Sequence, residues 1–301
     1  MNNLGSYAVD RERASVDSLL PAFEGQEMPA IIYGTAWKKE QTTDYVLQAY
    51  RAGFRGFDTA CQPRHYDEAG LGEALKTLAA EGVQRREYYL QSKFSPPSAQ
   101  DMATMPYAAD AGIAEQVLQS FAVSLQNLKT DYLDTLILHS PLANPRLTLT
   151  AWRAMEQIFR EGGACRLGIS NCYELDLLKK LYTEADIKPE VLQNRFYPSS
   201  GYDVELRQWC REHHITYQSF WTLTANPHLL RHSLVQFLAR KYSCSRSQIL
   251  FAYLQQRGVV PLTGTRSQQH MQEDLASIHC HLASAELEQM DSLILQAIPG
   301  K

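Results

Sequence analysis

The amino-acid sequence predicts an α/β fold built as a single (β/α)8 barrel, the architecture also called a TIM barrel. Eight short apolar runs rich in β-forming residues alternate with segments of helical periodicity along the 301 residues. This order is expected of parallel strands joined by helical crossovers. Titratable side chains end three successive predicted strands. Because the carboxyl ends of barrel strands meet at one face, these side chains predict one shared functional site.

The predicted strands and helices alternate in the order that a barrel requires. The strands cover Ala30–Gly34, Gly56–Ala60, Tyr88–Phe94, Asp134–His139, Ala164–Ser170, Val191–Phe196, Ile215–Phe220 and Val259–Gly264. The helical segments cover Thr42–Ala52, Leu71–Glu81, Ala114–Leu128, Leu149–Glu161, Tyr173–Ala185, Val204–His213 and Ser267–Ile278. Two more, His228–Tyr242 and Ser245–Gln256, lie between strands seven and eight, where one suffices, so the first is predicted to be an insertion. No repeat or linker divides the chain, so residues 1–301 are predicted to form one domain.

The N-terminal segment is predicted to lie outside the strand and helix repeat. Residues 1–17, MNNLGSYAVDRERASVD, are polar and contain no apolar signal core, so we expect a flexible extension. Leu20–Met28 carries the turn signal Glu24-Gly25 between short apolar pieces, which predicts a small hairpin that closes the barrel floor. No apolar run is long enough to span a bilayer. We therefore expect a cytoplasmic protein without a membrane partner.

The composition argues against several other classes of protein. With 45% hydrophobic residues, 21% charged residues and a net charge of -4, the chain has no basic footprint for a nucleic-acid partner. The six cysteines are scattered without a C-x-x-C pair, which is typical of reduced thiols in a chain of this length. His279-Cys280-His281 has no second ligand cluster at zinc-like spacing, so no metal site is predicted.

Four titratable residues are predicted to share the site. Asp58, Lys93 and His139 end the second, third and fourth predicted strands, and Tyr66 follows Asp58 closely. Each alone has an ordinary structural explanation, such as a surface lysine, a hydrogen-bonded core histidine or an aspartate that caps a turn. Their joint placement at three neighbouring strand ends is harder to explain structurally, because a buried charge is costly without a partner.

Together these side chains would form a proton donor for a carbonyl group that receives a hydride. A tyrosine has an unperturbed pKa of about 10, which a nearby lysine ammonium paired with an aspartate is expected to lower. A histidine within reach would orient the carbonyl oxygen. No side chain supplies hydride, so a nicotinamide is needed. The Rossmann pattern G-x-G-x-x-G is absent, and Gly70-Leu71-Gly72 reads as a turn and helix start, so a dinucleotide would bind on loops at the C-terminal face of the barrel.

From about Met28 to about Leu275 the chain resembles the aldo-keto reductases. The motifs that carry the resemblance are MPAIIYGTAW, GFRGFDTACQPRHYDEAGLGEAL, REYYLQSKF, DYLDTLILHSP, CRLGISNC, VLQNRFYP and PLTGTRSQQHMQEDL. The resemblance implies an eight-fold barrel that reduces small aldehydes or ketones with NADPH. The catalytic tetrad of that family falls on Asp58, Tyr66, Lys93 and His139.

The resemblance also implies residues for the cofactor and the substrate. Ser170, Asn171 and Gln193 would bond the nicotinamide carboxamide, and Phe220 would stack under the ring. The ribose and the adenosine phosphate end would be held by Gly34, Thr35, Thr263, Gly264, Thr265 and Arg266, while His270 and Asp274 stand where the family has an arginine and an asparagine. Trp37, Phe94 and Trp221 are candidate pocket walls, and the long loop Ser95–Asp110 is expected to shape specificity.

The spacing around the tyrosine departs from the family pattern. The family places the tyrosine five residues after the aspartate and a glutamate three residues after the tyrosine, whereas here the spacings are eight and two. Counting back from Glu68 puts His65 in the tyrosine slot. Tyr66 is preferred because phenol chemistry fits the reaction and the Gln62-Pro63-Arg64 insertion absorbs the offset. The usual cofactor lysine is replaced by Leu262, which leaves Arg266 as the phosphate partner that favours NADPH.

Three alternative interpretations follow from the same residues. A barrel lyase or aldolase would use Lys93 as a Schiff-base amine and need no nicotinamide. A catalytically weak regulatory subunit would bind NADPH without appreciable turnover. In the segment Gly168–Cys172, Ser170 or Asn171 could also be an ordinary N-cap of the following helix.

Overall fold

The polypeptide forms a closed barrel of eight parallel strands. The structure is a computed structural model and describes residues 27–299. The strands are β1 (Ile32–Gly34), β2 (Gly56–Asp58), β3 (Tyr89–Phe94), β4 (Thr135–Leu138), β5 (Leu167–Ser170), β6 (Val191–Arg195), β7 (Thr216–Phe220) and β8 (Val259–Thr263). Each strand pairs with the next, and β8 pairs with β1, which closes the sheet. The barrel predicted from the sequence is confirmed, and each strand lies within its predicted run.

Helices connect the strands and surround the barrel. They are α1 (Thr42–Ala52), α2 (Glu68–Ala80), α3 (Ile113–Leu128), α4 (Pro145–Arg160), α5 (Leu175–Glu184), α6 (Val204–Glu212), α7 (Pro227–Arg231), α8 (Ser233–Lys241), α9 (Arg246–Gln256), α10 (Gln268–Ala276) and α11 (Ser284–Gln296). Several begin at a side chain that caps a free backbone N–H group: Asp67 before α2, Asn144 before α4 and Ser245 before α9. Capping residues in the sequence therefore set where these helices start.

Buried polar side chains and a small apolar cluster of Ile32, Tyr89 and Leu262 fill the interior of the barrel, whereas the layer between strands and helices is apolar. Side chains alternate between the two faces of a strand, so each strand serves both environments. Gln91 of β3 bonds Gln218 of β7 across the barrel at 2.9 Å, and both are buried. The outer layer contains one large apolar cluster that includes Trp152, Phe57 and Leu138, and burial of each such side chain stabilises the fold by roughly 1.5–3 kcal/mol. The strand ends are thus held rigidly around a polar centre.

Three details differ from the predicted helices. The stretch predicted over His228–Tyr242 is divided, because His232 is extended and its Nδ1 accepts a hydrogen bond from the backbone N–H of Leu234. The predicted helix Ser267–Ile278 ends in a short 3-10 turn after α10. The sequence analysis sets no bounds for α11. In α2, a Cβ on Gly72 would lie 1.9 Å from the backbone oxygen of Asn127, so this glycine permits close packing against α3 and is part of a helix, as predicted.

Some sequence predictions fall outside the residues that the structure describes. The extension over residues 1–17 and the hairpin over Leu20–Met28, except its last two residues, belong to that part. Within residues 27–299 no helix is long and apolar enough to cross a membrane. The six cysteines are free, and the closest pair, Cys244 and Cys280, has its Sγ atoms 3.6 Å apart.

Candidate active site

A cavity of about 780 Å³ opens at the carboxyl ends of the strands, where the sequence predicts the functional site. Most of the predicted site residues line it: Gly34, Trp37, Asp58, Tyr66, His139, Ser170, Asn171, Gln193, Phe220, Trp221, Thr263, Gly264, Thr265, Arg266, His270 and Asp274. Parallel strands of one barrel bring residues that are far apart in the sequence to the same face. Lys93, Thr35 and Phe94 are the predicted site residues that do not line the cavity.

A buried ion pair lies beneath the cavity. The Lys93 ammonium donates to both carboxylate oxygens of Asp58, at 2.7 and 2.8 Å, and to the backbone oxygen of Thr59 at 2.8 Å. Burial lowers the pKa of Lys93, while the Asp58 carboxylate opposes that effect. All three N–H groups of the ammonium thus donate to protein acceptors, and none is left for a substrate.

Two glutamines extend this ion pair across the barrel. Gln91 and Gln193 each donate from Nε2 to the Oδ1 atom of Asp58, at 2.7 and 3.0 Å. Both also donate to the side-chain oxygen of Gln218 at 2.9 Å. Oδ1 of Asp58 therefore accepts from Lys93 and Gln91 of β3 and from Gln193 of β6. Gln91 and Gln218 were not predicted from the sequence, although glutamines in otherwise β-prone apolar runs are a signal that could have revealed them.

Tyr66 lies above the ion pair and beside His139. The Lys93 nitrogen is 5.1 Å from the centroid of the Tyr66 ring, and the rings of Tyr66 and His139 meet edge to face at 6.0 Å. Burial, and secondarily the Asp58 carboxylate, raise the pKa of Tyr66. The expected net lowering of the Tyr66 pKa is therefore wrong for this arrangement, because burial outweighs the stabilisation of the phenolate by the Lys93 ammonium. The phenol is kept protonated, which is the form a proton donor requires.

His139 is held through its second ring nitrogen by a residue that the sequence analysis missed. Its Nδ1 lies 2.6 Å from the hydroxyl of Ser95, which is buried. The backbone oxygen of Ser95 in turn accepts from the Tyr107 hydroxyl at 2.7 Å. Burial, together with the charge of Lys93, lowers the pKa of His139 well below its usual range. The imidazole is thus neutral, and its Nε2 is the nitrogen left for a ligand.

His65, the alternative to Tyr66, is engaged on the other side. Its ring packs on Trp37 with centroids 4.2 Å apart, and its Nδ1 lies 3.0 Å from the Gln62 side-chain oxygen. Although His65 also lines the cavity, the contact with the Lys93 ammonium described above is made by Tyr66. The geometry therefore favours Tyr66 as the partner of the buried ion pair.

The residues predicted to bond the nicotinamide amide lie together on β5, just beyond it and on β6. The Ser170 hydroxyl donates to the backbone oxygen of Gln193 at 2.6 Å, and the Asn171 amide donates to the backbone oxygen of His139 at 2.8 Å. Since α5 begins at Leu175 after Glu174, neither Ser170 nor Asn171 caps it, and that alternative is wrong. Phe220, the last residue of β7, lines the same part of the cavity.

The residues predicted at the nucleotide end follow β8. The Thr263 hydroxyl donates to the Asp274 carboxylate at 2.7 Å, and burial raises the pKa of Asp274 to about 6. Arg266 donates from Nη2 to the backbone oxygen of Trp37 at 2.7 Å. His270, at the start of α10, is exposed.

Two cations near the nucleotide end were missed by sequence analysis. Lys38 is buried, donates to the backbone oxygen of Gly264 at 2.8 Å, and has its pKa lowered to about 8 by burial and by the charge of Arg266. Arg246, the first residue of α9, is exposed and lines the cavity. Lys38 follows the strand-end motif around Trp37 directly, which is a signal that could have found it. Arg246 offered no comparable signal.

Three predicted site features do not line the cavity. Thr35 is buried and its hydroxyl donates to the backbone oxygen of Asp58 at 2.9 Å, so its side chain does not face the predicted ribose. Phe94 packs on Tyr107 in the apolar layer, because Lys93 points into the barrel and alternation turns the next residue outward. Residues 96–110 of the long loop do not line the cavity, so the specificity role expected of them is not supported.

Three of the nine non-glycine residues with positive φ among residues 27–299 lie where strands meet the cavity. Trp37, Asn171 and Trp221 have φ angles of 63°, 52° and 56°, in the left-handed region that is uncommon for residues other than glycine. All three line the cavity just beyond β1, β5 and β7. Such strain is typical of functional sites, where surrounding structure fixes an unfavourable conformation.

Comparisons with known proteins identify the family of the chain. Residues 29–295 match the model of the Aldo/keto reductase family. The chain is 27% identical to a glyoxal reductase of Bacillus subtilis over 282 residues, 93% of this chain and 94% of that protein. It is 26% identical to an NADPH-dependent alpha-keto amide reductase of Saccharomyces cerevisiae over 303 residues, 91% and 90% of the two chains. A Bombyx mori aldo-keto reductase solved in complex with NADP superposes with a TM-score of 0.75 at 23% identity, covering 90% of this chain and 89% of that one.

Proposed function

The chain belongs to the aldo/keto reductase family of oxidoreductases, and we propose that it reduces a small aldehyde or ketone to an alcohol with NADPH. The observation that carries the proposal is the arrangement of Tyr66 and His139 at the base of the cavity, above the buried pair of Lys93 and Asp58. A protonated phenol and a neutral imidazole at one carbonyl position are the groups that carbonyl reduction requires.

The residues of the cavity fit a nicotinamide dinucleotide. Amide and hydroxyl groups of Ser170, Asn171 and Gln193 line the cavity, as does the Phe220 ring, and these groups could bond the carboxamide of a nicotinamide and stack on its ring. Arg266 and Arg246 also line the cavity, and their charges suit phosphate groups. When bound there, the reduced nicotinamide supplies the hydride. The relatives named for NADPH or solved with NADP support this choice of cofactor.

Tyr66 would donate the proton to the oxygen of the carbonyl as negative charge develops on it. Burial keeps the phenol protonated before the reaction, and the Lys93 ammonium below the ring would stabilise the phenolate that remains. His139 would donate from Nε2 to the same oxygen, provided that Nδ1 accepts the hydrogen bond from Ser95. The pair of Lys93 and Asp58 would act from below without touching the substrate.

The alternatives receive less support from the same geometry. For a Schiff base, Lys93 would have to leave two oxygens of Asp58 and the backbone oxygen of Thr59, and it does not line the cavity. A regulatory subunit without turnover is suggested by the unusual spacing between Asp58 and Tyr66. The contacts among Asp58, Tyr66, Lys93 and His139 favour turnover instead, since they bring the four side chains together. Carbonyl reduction therefore remains the function that the site supports best.

Replacement of Tyr66 by phenylalanine tests the proposal. Tyr66→Phe should lower turnover about 10²–10⁴-fold, the usual contribution of a general acid, while NADPH affinity measured by calorimetry stays the same because only the hydroxyl is lost. The assay follows NADPH oxidation over a panel of aldehydes and ketones. His65→Ala is the matched comparison and should retain most of the turnover. If His65→Ala lost activity and Tyr66→Phe kept it, the assignment of the proton donor would be reversed.

A further inference from the structure

Arg195 stands out among the cavity residues because its side chain is partly buried and has no counter-ion within residues 27–299. It is the last residue of β6 and lines the cavity. Its Nε atom is buried without a hydrogen-bond partner, and within residues 27–299 the side chain forms no ion pair with a carboxylate. A partly buried charge without a partner is unfavourable for folding, so a ligand that supplies the missing charge would explain why the site is built this way.

The carboxylates that line the cavity are already engaged with other groups. They are Asp58, bonded to Lys93, Asp274, which accepts from Thr263, and Glu273, which accepts from Gln269. None of them is therefore the partner of Arg195. The negative charge would have to come from a molecule that enters the cavity.

The guanidinium is held in place by aromatic rings. It lies 4.0 Å from the centroid of the Trp221 ring and 5.9 Å from that of Phe220. Stacking on an aromatic face orients a guanidinium and leaves its N–H edge free for bidentate bonds. The backbone at Trp221 is strained, with φ at 56°, so the fold maintains this ring at the cavity against a local cost. The stacking on Trp221 and the backbone conformation that positions Trp221 thus hold the Arg195 guanidinium at the cavity.

The position of Arg195 places it next to the reacting end of the proposed cofactor site. Residues two apart on a strand face the same side, so Arg195 lies one step above Gln193, whose amide reaches Asp58 at 3.0 Å. The neighbouring ring of Phe220 is the one proposed to lie under the nicotinamide. An anion bound by Arg195 would therefore lie alongside that ring.

We infer that Arg195, stacked on Trp221, forms an oxyanion-binding subsite of the cavity, which takes a phosphate or carboxylate group through the guanidinium edge. Two molecules carry such a group: the dinucleotide, through its diphosphate, and an acidic carbonyl substrate, through its carboxylate. The inference rests on the proposed function for the identity of these ligands, but not for the existence of the anion site.

Calorimetric binding of two probes distinguishes the sources without requiring turnover. The first probe is NADPH, and the second is 4-hydroxymethylbenzoate, the alcohol product of an acidic aldehyde, titrated into the complex with NADP⁺. Arg195→Met removes the charge at similar length, and Arg195→Lys keeps the charge but loses the planar fork. Arg240→Met, on the exposed face of α8 and outside the cavity, is the matched control.

For Arg195→Met we expect a dissociation constant about ten-fold higher or more, as is typical of a lost charge-assisted hydrogen bond. A rise for NADPH assigns the subsite to the diphosphate, and a rise for 4-hydroxymethylbenzoate alone assigns it to a substrate carboxylate. Arg195→Lys should fall between the wild type and Arg195→Met. Dissociation constants that stay unchanged for both probes, as in Arg240→Met, would overturn the inference. A chain that binds an anion through Arg195 but reduces no carbonyl would overturn the proposed function and leave the anion site standing.

Discussion

Removal of the Lys93 ammonium is the sharpest test of the buried ion pair. Lys93→Met preserves the length of the side chain but leaves the Asp58 carboxylate, 4% exposed, without its counter-ion. Removing one partner of a buried pair costs about 3–5 kcal/mol. Because Gln91 and Gln193 still donate to Oδ1 of Asp58, the cost should lie near the lower end, about 3 kcal/mol. In a chain of this length that corresponds to a fall in Tm of about 6 °C.

A surface pair provides the control for this change. Lys76 and Glu73 are 3.7 Å apart with side chains 68% and 53% exposed, and such exposed pairs contribute little to stability. Lys76→Met should therefore lower Tm by about 1 °C or less. Adding Asp58→Asn to Lys93→Met should recover part of the lost stability, since the unpaired charge disappears with it. If the two lysine variants had the same Tm, the buried pair would not stabilise the fold as argued.

The same variant separates hydride transfer from Schiff-base chemistry. Without the ammonium 5.1 Å below its ring, Tyr66 should become a poorer proton donor, and turnover with NADPH should fall about 10²-fold, the lower bound for a disabled general acid. In the wild type, borohydride treatment with an aldehyde or ketone should leave Lys93 unmodified by mass spectrometry. A substrate adduct on Lys93 that forms without NADPH would refute the hydride-transfer mechanism.

Three further predictions follow from the cavity. Ser95→Ala removes the hydrogen-bond partner of Nδ1 of His139. It should lower turnover about ten-fold and leave the NADPH affinity unchanged. ¹⁵N NMR of the imidazole would detect the expected change of tautomer, and an unaltered tautomer would contradict this prediction. Burial lowers the pKa of His139 in the folded state. Below about pH 6.5 the unfolded chain therefore binds a proton on His139 that the folded chain does not bind. The wild type should therefore lose about 1–2 kcal/mol more unfolding free energy than His139→Asn between pH 7 and 5, and equal losses in denaturant titrations would show that His139 is not buried neutral. Arg266→Ala should weaken NADPH binding about ten-fold and NADH binding less; if Arg246→Ala produced that difference instead, Arg246 would be the phosphate partner.

Local patterns in the sequence were sufficient for the order of the strands. Each strand of the barrel lies within a run of β-forming residues, and the α1 bounds, Thr42–Ala52, coincide with the predicted ones, because periodicity and capping act over a few residues. The co-location of Asp58, Lys93 and His139 followed from topology alone, since parallel strands bring their carboxyl ends to one face. The outward direction of Phe94 could also have been predicted, because it follows from the inward direction of Lys93 on the same strand.

Side-chain partners were decided only when the barrel closed. The bond between Gln91 and Gln218 joins residues 127 positions apart, and the link between Ser95 and His139 depends on the pairing of β3 with β4. The choice of Tyr66 over His65 depends on which ring the Gln62-Pro63-Arg64 insertion turns toward Lys93. The lack of a counter-ion for Arg195 depends on where every nearby carboxylate lies in the folded chain. Periodicity over a few residues predicts which face of a strand a side chain occupies. It does not predict which side chains meet across a closed sheet, because the distances between them depend on strands that are far apart in the chain.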